Sequence, residues 1–366
     1  MKILAAGGGS GGHVNPAIAM ANMLRAKYPD AQILFVGSRK GLENDLVPKE
    51  GYRLVRIPVK GFSRKGFLTR ILPYLVLAVG MIKSFFVVAF FRPDMAYGTG
   101  GFAAGPVLFW TSFFKIPTLI HEANVLPGIT NMMLSPRASI TAISFEESRD
   151  KFVKAKRIEL TGNPVRESLL KADRNESRTN LGLAGDEKLV VAMGGSQGAG
   201  PINDAVCDML MNFYKEGEFR LVFAPGKRHF DEVSQKVTKK FKGVDIRPYI
   251  YDADIVYSAA DLIINRAGAI TMAEITALGI PSILVPSPYV AENHQENNAR
   301  ALEARGACKV LVDSELSGRV LYDAIMGILN DDQWLDSMAK ASSASGTRDA
   351  TEKLAGLFDE LLEGVV

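Results

Sequence analysis

The sequence predicts an α/β protein with two Rossmann-like domains that face each other across a cleft. Short apolar runs alternate with helical or polar segments, the alternation restarts in the second half, and several runs end in glycine-rich turns. Such alternation is typical of parallel sheets covered by helices on both faces. Because ligands of open α/β sheets bind at the carboxyl ends of the strands, two such edges facing each other define a cleft.

The candidate strands fall into two groups. The first half of the chain contains 2–6, 32–36, 54–57, 95–97, 118–121 and 139–143. The second contains 189–193, 220–224, 244–247, 262–264, 282–285 and 308–312. We therefore predict one domain at 1–162 and another at 163–346. A last helix within 347–366 lies beyond the second sheet and is available to pack back on the first domain.

Composition agrees with two folded domains. The 366 residues exceed what one hydrophobic core usually supports, and 47% hydrophobic with 23% charged residues is typical of a globular chain. A net charge of +3 gives no case for nucleic acid as a partner. Cys207 and Cys308 are too few for a disulfide framework and show no metal-ligand spacing with the histidines. The N-terminus turns to glycine too early for a signal peptide, so we expect a cytoplasmic protein.

One segment departs from the alternation. Residues 71–91, ILPYLVLAVGMIKSFFVVAFF, carry a single charge and are long enough, at ~1.5 Å per residue, to cross a bilayer. Against a transmembrane helix, Pro73, Gly80 and Lys83 interrupt the run, and one crossing would separate the two halves of the first sheet. We favour a soluble helix, or two, with one face in the core and another exposed.

Basic and aromatic residues precede this segment. Residues 60–70, KGFSRKGFLTR, suit docking on an anionic membrane surface. A core helix beside a solvated basic loop explains the same residues, so both interpretations stay open at this point.

Two glycine-rich turns belong to the first domain. Residues 7–12, GGGSGG, and 97–106, YGTGGFAAGP, each follow a strand. The second strand runs into Ser38, Arg39 and Lys40 instead of an acidic residue, which disfavours a nicotinamide cofactor. Backbone N–H groups in both turns still suit an anion, so we predict a diphosphate on this domain.

The second domain repeats the arrangement. Residues 194–198, GGSQG, place Ser196 within reach of a phosphate oxygen. Residues 262–274, LIINRAGAITMAE, predict a strand, a tight loop and a helix that opens at Ile270 or Thr271, whose dipole suits a phosphate. Glu274 is placed to accept from two sugar hydroxyls, although an ordinary βα corner explains this stretch alone equally well. Two phosphate sites suggest transfer between two substrates, and the missing Walker lysine motif argues against ATP.

His13 is the candidate catalytic residue. It lies in the first turn of a helix, where the dipole lowers the pKa of the imidazole and favours the neutral form that accepts a proton. The segment from His121 to Asn124 follows another strand, so we expect it to point into the same cleft. Asp252 and Asp254 form a D-x-D pattern before a helix, for which N-capping is a better explanation than a metal.

Seven motifs carry a family resemblance. GGGSGGHVNP, YGTGGF, HEAN, TGNPVR, MGGSQGA, RAGAITMAE and NHQENNA together span essentially the whole chain. The set closely resembles the bacterial peptidoglycan glycosyltransferases of the cytoplasmic face of the inner membrane. The resemblance implies a GT-B type fold with a membrane-associating acceptor domain followed by a UDP-sugar domain. It implies transfer of N-acetylglucosamine from UDP-N-acetylglucosamine to undecaprenyl-pyrophosphoryl-N-acetylmuramyl-pentapeptide (lipid I), which forms lipid II.

The resemblance also implies site residues. Ile250 corresponds to the residue whose backbone meets the uracil, Glu274 to the ribose contact and Gln295 to a donor-sugar contact, whereas His294 stands where some relatives have a second glutamine. The remaining implied substrate-binding residues are Ser10, Gly11, Gly12, Asn124, Arg166, Ser196, Ala269, Ile270, Thr271, Met272 and Ala273. The family's base is not firmly assigned, and His13 fits it best by position.

These observations predict an inverting glycosyltransferase that needs no cofactor or metal. Its expected partners are UDP-N-acetylglucosamine, lipid I and the cytoplasmic membrane surface, to which it would bind peripherally; no protein partner is identified. A nucleotide-sugar epimerase, a diacylglycerol glycosyltransferase of the same fold and a non-enzymatic nucleotide-sugar sensor are the alternatives.

Overall fold

A computed structural model of the chain describes residues 1–59, 67–195, 198–290 and 293–364. It divides into two compact units, one comprising Met1–Pro164 with Asp349–Val366 and the other Val165–Arg348. We call them unit 1 and unit 2. Each is an open, parallel α/β sheet, so the predicted class of two Rossmann-like domains is confirmed.

In the described part of unit 1, seven parallel strands form one sheet in the order β3-β2-β1-β4-β5-β6-β7. The strands are β1 Lys2–Gly7, β2 Gln32–Ser38, β3 Arg53–Ile57, β4 Met95–Gly100, β5 Thr118–Glu122, β6 Ile140–Ile143 and β7 Ile158–Leu160. The helices are α1 Gly11–Lys27, α2 Glu43–Lys49, α3 Phe67–Phe91, α4 Ala104–Phe113, α5 Ile129–Leu134 and α15 Ala350–Glu363, with a 3-10 helix at Glu146–Lys151.

The sequence missed β7. This strand has three residues, pairs only with β6 in the described sheet and is at most half-buried, with Glu159 at its centre. An edge strand of this kind lacks the apolar run that marks the buried strands.

The core of unit 1 includes the C-terminal helix. Leu354 and Phe358 of α15 are fully buried in one cluster with Leu24 of α1 and Tyr97 of β4. The rings of Tyr97 and Phe358 meet edge to face, with centroids 5.5 Å apart. Asp359 of α15 also accepts hydrogen bonds from two side chains near the end of α1. These contacts make α15 an integral part of unit 1.

The apolar helix α3 is a single helix of 25 residues, continuous through Pro73 and Gly80. Gly80, Ser84 and Val88, four residues apart, are buried and face the unit. Gly80 has to be small because a Cβ atom there would lie 2.5 Å from the carbonyl oxygen of Pro58. The opposite face is exposed, with Phe90 at 79%. The predicted helix with one face inside and one outside therefore forms as one element.

In the described part of unit 2, six parallel strands form a sheet in the order β10-β9-β8-β11-β12-β13. The strands are β8 Leu189–Met193, β9 Arg220–Ala224, β10 Val244–Ile246, β11 Leu262–Asn265, β12 Ser282–Leu284 and β13 Cys308–Val310. The helices are α6 Glu167–Lys171, α7 Arg174–Asn180, α8 Gly200–Asn212, α9 Phe230–Lys236, α10 Ala253–Ala259, α11 Ala269–Ala277, α12 His294–Ala304, α13 Gly318–Leu329 and α14 Asp332–Ser345.

The strand order fixes where each unit can bind a ligand. In both sheets the order reverses beside the first strand, between β1 and β4 in unit 1 and between β8 and β11 in unit 2. Loops that leave the carboxyl ends of neighbouring strands diverge at such a point and leave a crevice. The four glycine-rich turns predicted from the sequence follow these four strands.

Candidate active site

The first glycine-rich loop connects β1 to α1. Gly7 is buried, and a Cβ atom there would lie 2.3 Å from the hydroxyl oxygen of Thr99, so only glycine fits. Gly9 has a φ of +96°, a conformation that other residues rarely adopt. Gly9, Ser10 and Gly12 are exposed, so an anion has access to this loop.

The second glycine-rich loop lies against the first. It follows β4, and a Cβ atom on Gly101 would lie 2.3 Å from the carbonyl oxygen of Gly8. The φ angles of Gly100 and Gly101 are +97° and +83°. Both glycines are therefore required by conformation, and Gly101 also by the close approach of the two loops at the crevice.

His13 lies in the first turn of α1 and is half-buried. Its Nδ1 is 2.8 Å from the carbonyl oxygen of Thr99. A carbonyl oxygen only accepts, so we assign the proton to Nδ1, which leaves Nε2 as an acceptor. Burial lowers the pKa of His13 below its ordinary value of 6.5, whereas the Thr99 carbonyl and the charge of Glu43 raise it. The direction of this shift agrees with the predicted preference for the neutral form, and burial is its largest cause.

The HEAN segment is organised by Glu122. Its buried carboxylate accepts from the backbone N–H of Asn124 at 3.0 Å and of Gly128 at 3.0 Å, and from the side chains of Asn124 at 3.1 Å and Asn131 at 2.8 Å. Burial raises the pKa of Glu122, against the effect of these four hydrogen bonds. Asn124 is thereby held in one orientation after β5.

His121 does not point into an open site, contrary to our expectation for this segment. It is fully buried, and its Nε2 lies 3.0 Å from the carbonyl oxygen of Gly162. Burial lowers the pKa of His121 to about 4. A fully enclosed imidazole of this kind serves the core of unit 1.

In unit 2, the loop after β11 leads directly into α11. The helix begins at Ala269, one residue before the predicted start, with Gly268 in the N-cap position. No side chain caps it, and its first turn carries no acidic residue. The first-turn N–H groups of a helix have no intrahelical acceptor and attract anions. This junction is therefore suited to a phosphate.

Glu274 lies further along α11 and is 6% exposed. Its Oε1 accepts from Nε of Arg166 at 2.6 Å. The two residues are 108 positions apart in the chain, and both were predicted to bind substrate. The structure brings them together as an ion pair in unit 2.

The loop after β8 was predicted to contact phosphate through Ser196, which lies outside the described residues. On either side of it, Gly194 and Gly198 are required by packing. A Cβ atom would lie 2.4 Å from the backbone nitrogen of Ala199 at the first position and 1.9 Å from the carbonyl oxygen of Pro225 at the second.

Ile250 is buried and is flanked by two tyrosines that the sequence analysis did not single out. The rings of Tyr249 and Tyr251 are 4.9 Å apart, and the ammonium group of Lys227 lies 5.3 Å from the ring of Tyr251. The carboxylate of Asp252 accepts from Arg247 at 2.9 and 3.0 Å instead of capping α10, so the predicted capping role is wrong for Asp252.

Gln295 is in the first turn of α12, which begins at His294. Its Oε1 accepts from the backbone N–H of Ser287 at 2.8 Å. This hydrogen bond assigns the carbonyl end of the side chain to the protein and leaves the NH2 end to serve as the donor.

Two parallel α/β units, each with glycine-rich turns at the point where its strand order reverses, are the architecture of the GT-B type fold. Residues 3–143 match the glycosyltransferase family 28 N-terminal domain, and residues 189–354 match the family 28 C-terminal domain. The chain belongs to glycosyltransferase family 28.

Relatives match over their full length. The UDP-N-acetylglucosamine--N-acetylmuramyl-(pentapeptide) pyrophosphoryl-undecaprenol N-acetylglucosamine transferase of Ruminiclostridium cellulolyticum is 46% identical, over 99% of this chain and 100% of its own. The protein of the same name from Caldanaerobacter subterraneus is 44% identical, over 97% and 98%. The crystal structure of Acinetobacter baumannii MurG has a TM-score of 0.79 at 25% identity and covers 98% of this chain and 99% of its own.

Proposed function

We propose that this protein transfers N-acetylglucosamine from UDP-N-acetylglucosamine to lipid I and so forms lipid II. The observation that carries the proposal is the full-length identity of 46% to a relative whose name states this donor sugar and this acceptor. The epimerase, diacylglycerol and sensor alternatives find no comparable support.

We place the donor on unit 2. The uncapped N-terminus of α11, from Ala269 through Ala273, is suited to its diphosphate. The carboxylate of Glu274 is suited to the ribose hydroxyls, because Arg166 occupies one of its oxygens and a carboxylate has further acceptor sites. Ile250 is assigned to the uracil, Gln295 to the donor sugar and Ser196 to a phosphate oxygen.

We place the acceptor on unit 1. Ser10, Gly11 and Gly12, at the start of α1, receive the acceptor diphosphate, and Asn124 contacts the acceptor from the end of β5. Exposure of the first loop and the rigid hold of Glu122 on Asn124 support this assignment.

The proposed chemistry is a single displacement with inversion. Nε2 of His13 takes the proton of the acceptor hydroxyl as its oxygen bonds to the anomeric carbon, and the bond from that carbon to UDP breaks. General base catalysis of this type contributes about 10²- to 10⁴-fold. UDP leaves with additional negative charge, which the N-terminus of α11 stabilises.

We further propose peripheral attachment to the cytoplasmic face of the membrane through the exposed face of α3. Tyr74–Phe91 is long and apolar enough to cross a membrane. The face of the helix that carries Gly80, Ser84 and Val88 is nevertheless buried against unit 1. The large apolar side chains exposed on α3 are Tyr74, Leu75, Val79, Ile82, Phe86 and Phe90, and Ala78 and Lys83 are exposed as well. Such a face favours lying in the interface of a bilayer. Residues 60–66 of the basic segment lie outside the described residues.

The test is incubation of the full chain with labelled UDP-N-acetylglucosamine, with and without lipid I. We expect a labelled lipid-linked disaccharide that forms only when lipid I is present. An altered labelled sugar in the absence of lipid would indicate an epimerase, a product with diacylglycerol would indicate the related transferase, and donor binding without any product would indicate a sensor. Each of these three results would overturn the proposal.

A further inference from the structure

The first glycine-rich loop of unit 1 is built around a buried carboxylate that the proposed chemistry does not use. Glu43, the first residue of α2, has no exposed surface. Its Oε2 accepts from the backbone N–H of Gly9 at 2.8 Å. Its Oε1 accepts from the N–H and the hydroxyl of Ser38 at 2.7 and 2.6 Å. One side chain therefore connects the loop after β1 to the end of β2.

Glycines surround this carboxylate. A Cβ atom at Gly8 would lie 2.4 Å from Oε1, one at Gly37 2.5 Å from Cγ, and one at Gly41 2.1 Å from Oε2. None of the three has a positive φ, so backbone conformation does not require glycine there. The carboxylate of Glu43 fills the space that a side chain at any of these positions would need.

Glu43 also acts on His13. The charged and polar groups that affect the pKa of His13 come from two neighbouring elements, the Thr99 carbonyl on β4 and the Glu43 carboxylate on α2. The loop that Glu43 holds leads within a few residues to the first turn of α1, where His13 lies.

We propose that Glu43 is a positioning residue for the acceptor: its carboxylate holds the first glycine-rich loop, and through it His13, in the geometry that transfer requires. The inference rests on the proposed function, which assigns this loop and His13 to the acceptor. Glu43 acts through the loop and does not touch the substrate.

Two variants disturb the contact in different ways. Glu43→Gln keeps the shape but replaces one acceptor oxygen with an NH2 group, which meets a donor hydrogen whichever way the amide is turned. Gly41→Ala alters neither Glu43 nor the sequence of the first loop, but its Cβ atom would displace Oε2, the oxygen that holds Gly9. Glu43→Asp retains the charge on a shorter side chain. Asp45→Asn, on the exposed side of α2, is the matched control.

The measurement is steady-state transfer to lipid I, with the dissociation constant of UDP determined separately. We expect Glu43→Gln and Gly41→Ala to lower kcat/KM for the acceptor by about 10²-fold, since a displacement of about 1 Å has this effect. Donor affinity should stay unchanged, Glu43→Asp should recover part of the loss, and Asp45→Asn should match the wild type.

The pH profile distinguishes positioning from a loss of folded protein. Glu43→Gln removes a charge that raises the pKa of His13, so the acid limb of kcat/KM should move to lower pH. Wild-type acceptor kinetics in the folded Glu43 and Gly41 variants would overturn the inference. The inference would also be overturned if the loss of activity in these variants were fully explained by a smaller folded fraction, measured by circular dichroism. If the wild type itself makes no lipid-linked disaccharide, the proposed function fails, and the inference fails with it.

Discussion

The first glycine-rich loop of unit 1 and the β11–α11 junction of unit 2 use a buried carboxylate in opposite ways. In unit 1, the Glu43 side chain is buried, and its carboxylate oxygens accept hydrogen bonds from the backbone N–H groups of Gly9 and Ser38 and from the Ser38 hydroxyl. In unit 2, Glu274 is bound by a side chain, that of Arg166, which is half-exposed. Both sites follow strands that flank the reversal of strand order in their own sheets.

The difference separates a carboxylate that shapes a loop from one that is available to a ligand. Backbone donors are fixed by the fold, so the oxygens of Glu43 cannot be released without moving the loop. An exposed arginine can change its rotamer at small cost and share its partner with a hydroxyl. A carboxylate near a glycine-rich turn is therefore a ligand-binding residue only if its acceptor sites are not already fixed by the backbone.

The largest effect should come from His13→Ala in unit 1. Loss of a general base should lower kcat by about 10²- to 10⁴-fold and leave UDP affinity unchanged. Single-turnover transfer and equilibrium UDP binding measure the two effects. Equal losses in kcat and in donor affinity would remove His13 from the role of base and weaken the division of tasks between the units.

Glu274→Gln should produce the reverse pattern in unit 2. Hydrogen bonds to charged groups contribute about 1.5–3 kcal/mol, so the affinity for UDP should fall about 10- to 100-fold. Asp323→Asn, which breaks an exposed ion pair on α13, is the control. Calorimetric titration with UDP measures both proteins, and unchanged affinity in the Glu274 variant would exclude the ribose contact.

The surface of unit 1 should also differ from that of unit 2 in its affinity for lipid. Ile82→Ser, Phe86→Ser and Phe90→Ser each remove an exposed apolar side chain of α3. Because full burial of such a side chain is worth ~1.5–3 kcal/mol, each should weaken vesicle binding by at most about 10- to 100-fold. Co-sedimentation with anionic vesicles tests this, with Val153→Ser, which removes an exposed apolar side chain outside α3, as the control. Retained binding in a variant that combines all three substitutions would place the lipid contact elsewhere.

The smallest effect is the pH dependence of the wild type. The pKa of His13 lies below 6.5, so its imidazole is neutral at pH 7 and becomes protonated only as the pH falls below 6.5. We expect kcat/KM to be level near neutral pH and to decline on the acid side of 6.5. A decline centred above pH 6.5 would contradict the assignment of this limb to His13.

Acidification should also destabilise unit 1. The folded-state pKa values of His13 and His121 are both lowered, the latter to about 4. The unfolded chain then binds more protons at these two positions, so their contribution to stability is lost as the pH falls from 6.5 toward 4. Thermal unfolding followed over the same pH range identifies the part of any activity loss that is due to unfolding.

The sheets could be predicted because burial determines the sequence of central strands. Every described strand of unit 2 coincides with a predicted apolar run, with one extra residue in β11, and six strands of unit 1 do so with differences of up to three residues at their ends. The strand β7 was not predicted because this short edge strand is at most half-buried and lacks an apolar run in its sequence. The glycine-rich turns could be predicted because positive φ angles and close backbone contacts favour glycine, which is visible in the sequence.

The long-range hydrogen bonds of the site could not be predicted in the same way. Glu43 reaches Gly9 across 34 positions and Arg166 reaches Glu274 across 108, and no local pattern encodes such pairs. The sequence does contain one indication of the role of Glu43: glycines stand at 8, 37 and 41, although none of them has a positive φ. The orientation of His121 was predicted wrongly because its position near the end of β5 does not show toward which face of the sheet its side chain points.

The position of α15 has a consequence for the order of events during synthesis. Unit 1 begins at Met1 but takes Leu354 and Phe358 from the far end of the chain. All residues of unit 2 are synthesised before those two side chains, and domains generally fold as units once their chain is available. The core of unit 1 is therefore completed only after all of unit 2 has been synthesised, and until then the nascent chain has an apolar surface that α15 does not yet cover.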